Sequence, residues 1–362
     1  MLKIELECTF NDFNLSIDQQ LPSDCIVGLF GASGSGKSRF IRQLLGFDLN
    51  HQINAHIRFN DQHWQDRNEQ FLPTQKRGIG YLPQSIDLFP HMTVEQNILF
   101  GWNKETSRFN GSIIDKITLQ LDIQTLLTKK PHQLSGGQQQ RVALGRAILA
   151  SSQILILDEP LSAIGEDHKP QIMQLLKYLR QQLNIPIIYS SHNRVEHAFL
   201  TEHLVTFNNG LVIQSGDYES IATDINGHFS QMTDAINHIK AKVIEFEKDN
   251  SVNRLQTSHH QLWAGYLPLK KGHFVSLEVR AQDISLFLSE SDQSSILNSL
   301  KVTIVDYEEV SRHQYIIKLA FENSFLIAFI TKKSFVSLGL MKKMQVYAKF
   351  KSVSVLPISL AL

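Results

Sequence analysis

Gly31-Ala32-Ser33-Gly34-Ser35-Gly36-Lys37-Ser38 is the stretch on which the fold turns. It fits the spacing G-x-x-x-x-G-K-[ST], follows an apolar run from Cys25 to Phe30, and opens a helical pattern from Arg39 to Leu45. Strand, glycine-rich turn and helix, in that order, are the context that gives the spacing its meaning. The glycines let the backbone curl until successive N–H groups face one anion, and the helix N-terminus adds a field favouring it. Lys37 is then placed to reach the β- and γ-phosphates of a nucleotide, and the Ser38 hydroxyl to ligate Mg²⁺. An ordinary Gly/Ser-rich surface loop has no need of all the fixed positions at once.

Two further stretches extend the pattern. Ile154-Leu155-Ile156-Leu157 is a short all-apolar run suited to a central parallel strand, and it delivers Asp158, Glu159 and Pro160 at its end. Ligands of parallel sheets bind at such strand ends. Asp158 is the candidate Mg²⁺ holder, and Glu159 the candidate to orient or deprotonate an attacking water. On its own, an acidic pair after a strand is usually a helix cap or a solvated loop; the phosphate loop in the same chain changes that reading. Leu134-Ser135-Gly136-Gly137-Gln138 precedes a helical pattern from Gln139 to Ala150. It makes a second phosphate-reading helix terminus. One nucleotide does not need two such termini from one chain, so the economical arrangement sets this one across a dimer interface.

The chain around these motifs has 362 residues, comfortable for two domains, with 42% apolar residues. Its 35 basic and 35 acidic residues cancel, so no global charge draws it to nucleic acid. Cys8 and Cys25 fit neither a zinc site nor a redox pair and read as free thiols. No stretch approaches the roughly 18 apolar residues of a membrane span, so any membrane work is expected to go through partners. Apolar strands alternate with helical patterns up to about residue 235, including a strand from Ile185 to Tyr189 and a helix from Gln171 to Leu183. That alternation is the signature of a doubly wound α/β domain. Beyond it come closely spaced short strands: Val243–Phe246, Phe274–Val279, Ile284–Leu288, Lys301–Val305, Tyr315–Leu319, Phe325–Ile330 and Met344–Phe350. They suggest a small all-β barrel. The expected domains are therefore 1–235 and 236–362.

Taken together, the three motifs resemble those of ABC transporter nucleotide-binding subunits, over residues 1 to about 230. The resemblance implies an ABC-type α/β P-loop ATPase domain followed by an OB-like, TOBE-type β barrel, with ATP and Mg²⁺ as ligands. It implies that Gln84, in Tyr81-Leu82-Pro83-Gln84, senses Mg²⁺ and water and lies near the membrane partner. It implies that His192, after Tyr189-Ser190-Ser191, contacts the γ-phosphate and helps to place Glu159 and the water. An early aromatic should stack on adenine; Phe10 is the first candidate and Phe13 the second. The chain departs from the family at Ser162-Ala163-Ile164-Gly165, where Gly165 replaces the usual aspartate that couples the two sites of the dimer. That departure bears on hydrolysis rate and cooperativity, not on nucleotide binding.

The C-terminal region resembles the accessory domain of molybdate-importer ATPases, notably through Ala281-Gln282-Asp283-Ile284-Ser285-Leu286 and the stretch from Ala348 to Leu356. The implied protein is a homodimer on the cytoplasmic face of the cell membrane, joined to integral-membrane permease subunits and served indirectly by a substrate-binding protein. An oxyanion ligand in the C-terminal domain would meet Ser295, Asn298, Lys351 and Ser352. Leu297 stands where oxyanion-binding barrels of this type carry an arginine, which removes a charge-assisted partner. Sulfate, iron(III) and polyamine importers share the layout. A non-transport ABC ATPase would typically show paired cassettes, a long coiled coil or a basic face, and a GTPase an Asn-Lys-x-Asp segment; none is visible.

Overall fold

The N-terminal residues alternate strictly: Leu2, Ile4, Leu6 and Cys8 are buried while Lys3, Glu5 and Glu7 face out. A period of two with one apolar face is what a half-covered antiparallel strand requires. Such a strand forms here as β1 (Leu2–Phe10) beside β2 (Phe13–Leu21). The computed structural model describes residues 1–10, 13–48, 53–66, 70–102, 108–231, 235–265, 271–290, 295–352 and 356–359. The chain divides into two compact units, Met1–Tyr218 and Glu219–Leu362.

In the first unit, β3 (Ile26–Phe30) leads into the helix α1 (Lys37–Leu45). The antiparallel strands β4 (Ile53–Phe59), β5 (Gln62–Asp66) and β6 (Gln70–Phe71) extend one side of the sheet. Then follow β7 (Ile79–Leu82), α2 (Val94–Ile98), α3 (Gly111–Gln120), α4 (Gly136–Ala150), β8 (Ile154–Asp158), α5 (Lys169–Leu183), β9 (Ile187–Ser190), α6 (Arg194–Leu200), β10 (His203–Asn208) and β11 (Leu211–Asp217). The eleven strands form one sheet in the order β6-β5-β4-β1-β2-β11-β10-β3-β9-β8-β7. Within it β10, β3, β9, β8 and β7 run parallel as neighbours. Every residue of β3, β8 and β9 is buried, as expected of parallel strands covered on both faces. Because these strands are parallel, the loops after β3, β7, β8 and β9 all leave from one edge of the sheet.

Cys8 and Cys25 are free thiols, and burial pushes that of Cys25 up to about 12.

The second unit holds two antiparallel five-stranded sheets. One contains Gln261–Gly265, Val252–Gln256, Ile236–Glu247, Phe274–Arg280 and Leu356–Ser359; the other Ser285–Phe287, Gln345–Phe350, Asn298–Ser311, Gln314–Phe321 and Ser324–Thr331. Val243, Leu255, Leu277, Leu300, Leu319 and Phe350 share one core. Buried amides lace the strands: Asn237 Nδ2 donates to the carbonyls of Val279 and Ile327, and its Oδ1 accepts the Ile327 N–H. The unit starts earlier than the expected boundary at 235/236, because Ile225 is buried in a cluster with Ala235, Ala281, Ile316, Ile327 and Phe329.

Candidate nucleotide-binding site

The loop after β3 is built around two left-handed glycines, Gly34 with φ 80° and Gly36 with φ 113°, conformations that a side chain resists. Gly31 is confined differently: a Cβ there would lie 2.5 Å from Ser35 Oγ and 2.6 Å from the Phe207 carbonyl. Ala32, Ser33, Gly34 and Ser38 are exposed, whereas Ser35 and Lys37 are buried. The Lys37 ammonium donates to the carbonyls of Gly31 at 2.6 Å and Ala32 at 3.2 Å, folding back over its own loop. Burial lowers its pKa, and the carboxylates of Glu159 and Asp158 oppose that shift, so the ammonium lies within electrostatic reach of both.

Asp158 ends β8 in register with Ser190 of β9 and is 2% exposed. Its Oδ1 is buried with no hydrogen-bond partner among the described residues. A buried carboxylate oxygen left over in this way suits a cation. Glu159 follows with φ 51°, a left-handed conformation rare outside glycine and asparagine, of the sort that concentrates at functional sites. Its N–H donates to the Ser190 carbonyl at 3.0 Å, which anchors it to the next strand. Both its carboxylate oxygens lie 3.0 Å from His192 Nδ1. The Glu159 side chain is 12% exposed and that of His192 68%, so the pair stands at the mouth of the strand-end cleft.

Gln84 lies exposed two residues past the end of β7. The segment after it is held by two elements. Arg146 of α4 donates to the Asp87 carbonyl at 2.6 Å and stands over the Phe89 ring, while Asn97 of α2 makes hydrogen bonds with both the N–H and the carbonyl of Phe89.

Ser135 caps α4: its Oγ accepts the Gln138 N–H at 3.3 Å, and Gln138 Oε1 accepts the Ser135 N–H at 2.9 Å. The cap uses the hydroxyl oxygen as acceptor and leaves the hydroxyl proton for another partner. A Cβ on Gly136 would meet nothing within 4 Å, and one on Gly137 would meet the Ala163 carbonyl at 3.0 Å. Gln140 Nε2 donates to the Pro160 carbonyl at 3.0 Å, tying this helix to the turn that carries Glu159.

The Phe10 side chain lies outside the described residues. Phe13 stands against the loop itself, its Cζ 3.0 Å from where a Gly36 Cβ would lie and its ring beneath the Arg39 guanidinium. Its ring therefore floors the phosphate loop.

In the second unit Asn298 cannot serve an anion as expected. Its amide is fully buried and committed to one backbone group pair, accepting the Trp263 N–H at 2.7 Å and donating to the Trp263 carbonyl at 3.0 Å. Ser295, Leu297 and Lys351 are exposed and Ser352 is half-buried; residues 353–355 lie outside the described residues.

Sequence reasoning passed over Tyr189, Ser191, Glu196 and His197, which surround the His192 loop. Ser191 Oγ donates to Glu196 Oε2 at 2.6 Å, and the Tyr189 hydroxyl donates to the same oxygen at 2.7 Å. His197 Nε2 lies 2.9 Å from the Ser191 carbonyl, so that nitrogen carries the proton, and Nδ1 accepts from the Thr201 hydroxyl at 3.1 Å. Burial depresses the His197 pKa to about 4, which keeps the ring neutral. The one sequence signal was Glu196 three residues after the cap Asn193, a spacing ordinarily read as a capping box.

The profile of the family described as ABC transporter matches residues 14–162, and that of the TOBE domain matches 294–357. The molybdenum import ATP-binding protein of Saccharophagus degradans is 35% identical over 344 residues, covering 94% of each chain. That of Aromatoleum aromaticum is 33% identical, covering 95% of this chain and 91% of its own. That of Pseudomonas fluorescens is 33% identical, covering 98% and 99%. Both units thus align with relatives of one kind, and the chain belongs to the ATP-binding ATPase subunits of ABC transporters.

Proposed function

We propose that this chain energises the import of molybdate or tungstate, working as one of two identical ATPase subunits on membrane-embedded permease subunits. The observation that carries the substrate class is that relatives named for molybdenum import align over both units. The alternatives are the ATPase of a sulfate, iron(III) or polyamine importer, which share the general layout, and a non-transport ABC ATPase.

In this reading Gly31 to Gly36 cradle the phosphates of ATP, Lys37 leaves the Gly31 carbonyl for them, and Phe10 meets the adenine. Ser38, Asp158 and Gln84 hold Mg²⁺, which when bound offsets the charge of the phosphates. Glu159 takes a proton from the attacking water, and His192 orients that carboxylate. Ser135, Gly136, Gly137 and Gln138 face the ATP of the partner copy, with the Ser135 hydroxyl proton as donor. Two copies then share two sites.

The permease meets an open groove of about 750 Å³ lined by His91, Met92, Glu95, Gln96, Leu99 and Phe100. Phe100 is 49% exposed there, and the groove adjoins the Asp87–Phe89 segment gripped by Arg146 and Asn97. Among the described residues no helix is long and apolar enough to cross a membrane. The chain sits on the cytoplasmic face, and a substrate-binding protein delivers cargo from the other side. An oxyanion ligand for the second unit rests on Ser295, Lys351 and Ser352 once Asn298 is withdrawn.

The test is transport. The chain, reconstituted with its permease and binding protein in liposomes holding ATP, takes up molybdate and tungstate, with sulfate in excess competing poorly. ATP-driven uptake of sulfate, iron(III) or a polyamine instead of molybdate overturns the substrate assignment.

A further inference from the structure

His192 is mostly exposed, so packing does not hold its ring; its place follows from the backbone of the loop that carries it. That loop is fastened at Ser191, which is 1% exposed. The Ser191 N–H donates to the Leu29 carbonyl at 3.2 Å, the strand that feeds the phosphate loop. Ser191 Oγ donates to Glu196 Oε2 and accepts the Asn193 N–H at 3.0 Å. The buried carboxylate thus fixes the Ser191 hydroxyl, which in turn holds the Asn193 N–H, with His192 between the two residues.

The other oxygen of that carboxylate looks elsewhere. Glu196 Oε1 lies 3.8 Å from Lys169 Nζ, and the same ammonium bonds Glu166 Oε1 at 2.7 Å. The Lys169 side chain is 13% exposed and that of Glu196 6%, so the ammonium is the counter-charge of a carboxylate with little water. Glu166 adjoins Gly165, in the loop whose Ala163 carbonyl approaches Gly137 at the start of α4. Lys169 therefore stands between two loops of the site: the one that touches the phosphate-reading helix terminus, and the one that carries His192.

We propose that Lys169 is a positioning residue for ATP hydrolysis, linking the 162–166 loop to His192 through Glu196. This deepens the proposed function and rests on its reading of Glu159 and His192. It also gives a role to this loop in a chain where Gly165 has no side chain to offer. A shift of the 162–166 loop is carried through the ammonium to Glu196, then to Ser191 and the His192 backbone.

The test uses the purified full-length chain. Lys169→Met lowers kcat about tenfold to a hundredfold, the usual scale for a misplaced group, while KM and the affinity for ATP stay within about twofold. Lys169→Arg keeps the charge and restores kcat to within about threefold. In a His192→Ala background, Lys169→Met costs less than about twofold more, because its effect runs through His192. Glu166→Gln, at an exposed side chain harmless to folding, lowers kcat in the same direction and serves if Lys169→Met does not fold. Wild-type kcat in both Lys169→Met and Glu166→Gln overturns the link. So does full additivity with His192→Ala, or equal loss of kcat and thermal stability in the Met and Arg variants. Undiminished activity of Glu159→Gln instead removes the underlying reading, and is told apart because it leaves the Lys169 variants with their own effect.

Discussion

His192 Nδ1 sits 3.0 Å from both oxygens of Glu159, although the two residues leave from the ends of different strands. The contact exists because β8 and β9 are parallel neighbours and the Glu159 N–H is bonded across to Ser190. His192→Ala should lower ATP turnover by about a hundredfold, in the range of a lost proton-transfer or orienting partner, with ATP binding kept. Steady-state hydrolysis and equilibrium binding on the same preparation separate the two quantities.

The shared site is testable by mixing. Lys37→Ala damages the phosphate loop and Ser135→Arg the opposite helix terminus. In a head-to-tail dimer one site carries both lesions and the other neither, so an equimolar mixture of two inactive variants regains activity. Lack of any recovery over the separate variants would count against a site built from two copies.

Gly80 faces the backbone of α4. A Cβ there would lie 2.1 Å from the Ala147 carbonyl and 2.6 Å from Ser151 Cβ. Gly80→Ala should therefore destabilise the chain by about 1–3 kcal/mol, the cost of overpacking against atoms that cannot swing away. A Cβ at Gly165 would meet nothing within 4 Å, so Gly165→Asp should stay within about 0.5 kcal/mol of the parent. Denaturant unfolding of the two variants against the parent reads both.

Glu278 is 4% exposed, its Oε1 lacks a partner among the described residues, and burial pushes its pKa up to about 8. The folded chain then holds the proton while the unfolded chain loses it from about pH 4.5 upward. Stability falls as pH rises from that value to about 8, and Glu278→Gln should remove the decline and raise stability at pH 8 by a few kcal/mol, on the order of 1–4. His197 has the opposite sign. With its folded pKa at about 4 against an ordinary 6.5, its contribution is full above 6.5 and is lost as pH falls to about 4. Between about pH 4.5 and 6.5 the two slopes oppose and nearly cancel, and above 6.5 only the Glu278 decline remains, so in urea unfolding from pH 4 to 8 Glu278→Gln should unmask the His197 rise below 6.5 and flatten the profile above it.

Much of the first unit was legible because its parallel strands are short, wholly apolar and next to glycine-rich turns. Contiguous motifs were legible for the same reason: Gly31 to Ser38, Ser135 to Gln138 and the pair at 158–159 each carry their chemistry within a few residues. Lys169 and Glu196 carry theirs only after α5 and α6 are packed, and no local spacing announces it. The strands Val252–Gln256 and Gln261–Gly265 went unread because each alternates for only five residues and Asn253 occupies a core position. That asparagine is buried because its Nδ2 donates to the Gly265 carbonyl at 2.9 Å. Asn298 misled in a related way, since a sequence does not reveal that an amide is already committed to another strand's backbone. The unit boundary was set late because Ile225 finds its apolar partners far along the chain.

The central claim is that ATP is hydrolysed at the strand ends of β3, β8 and β9 with Glu159 as the base. Glu159→Gln keeps the shape and removes the charge. Turnover measured on this variant should fall at least about a hundredfold while ATP affinity is retained, and the chain should accumulate as an ATP-bound dimer on sizing. Hydrolysis at the parent rate would contradict the account.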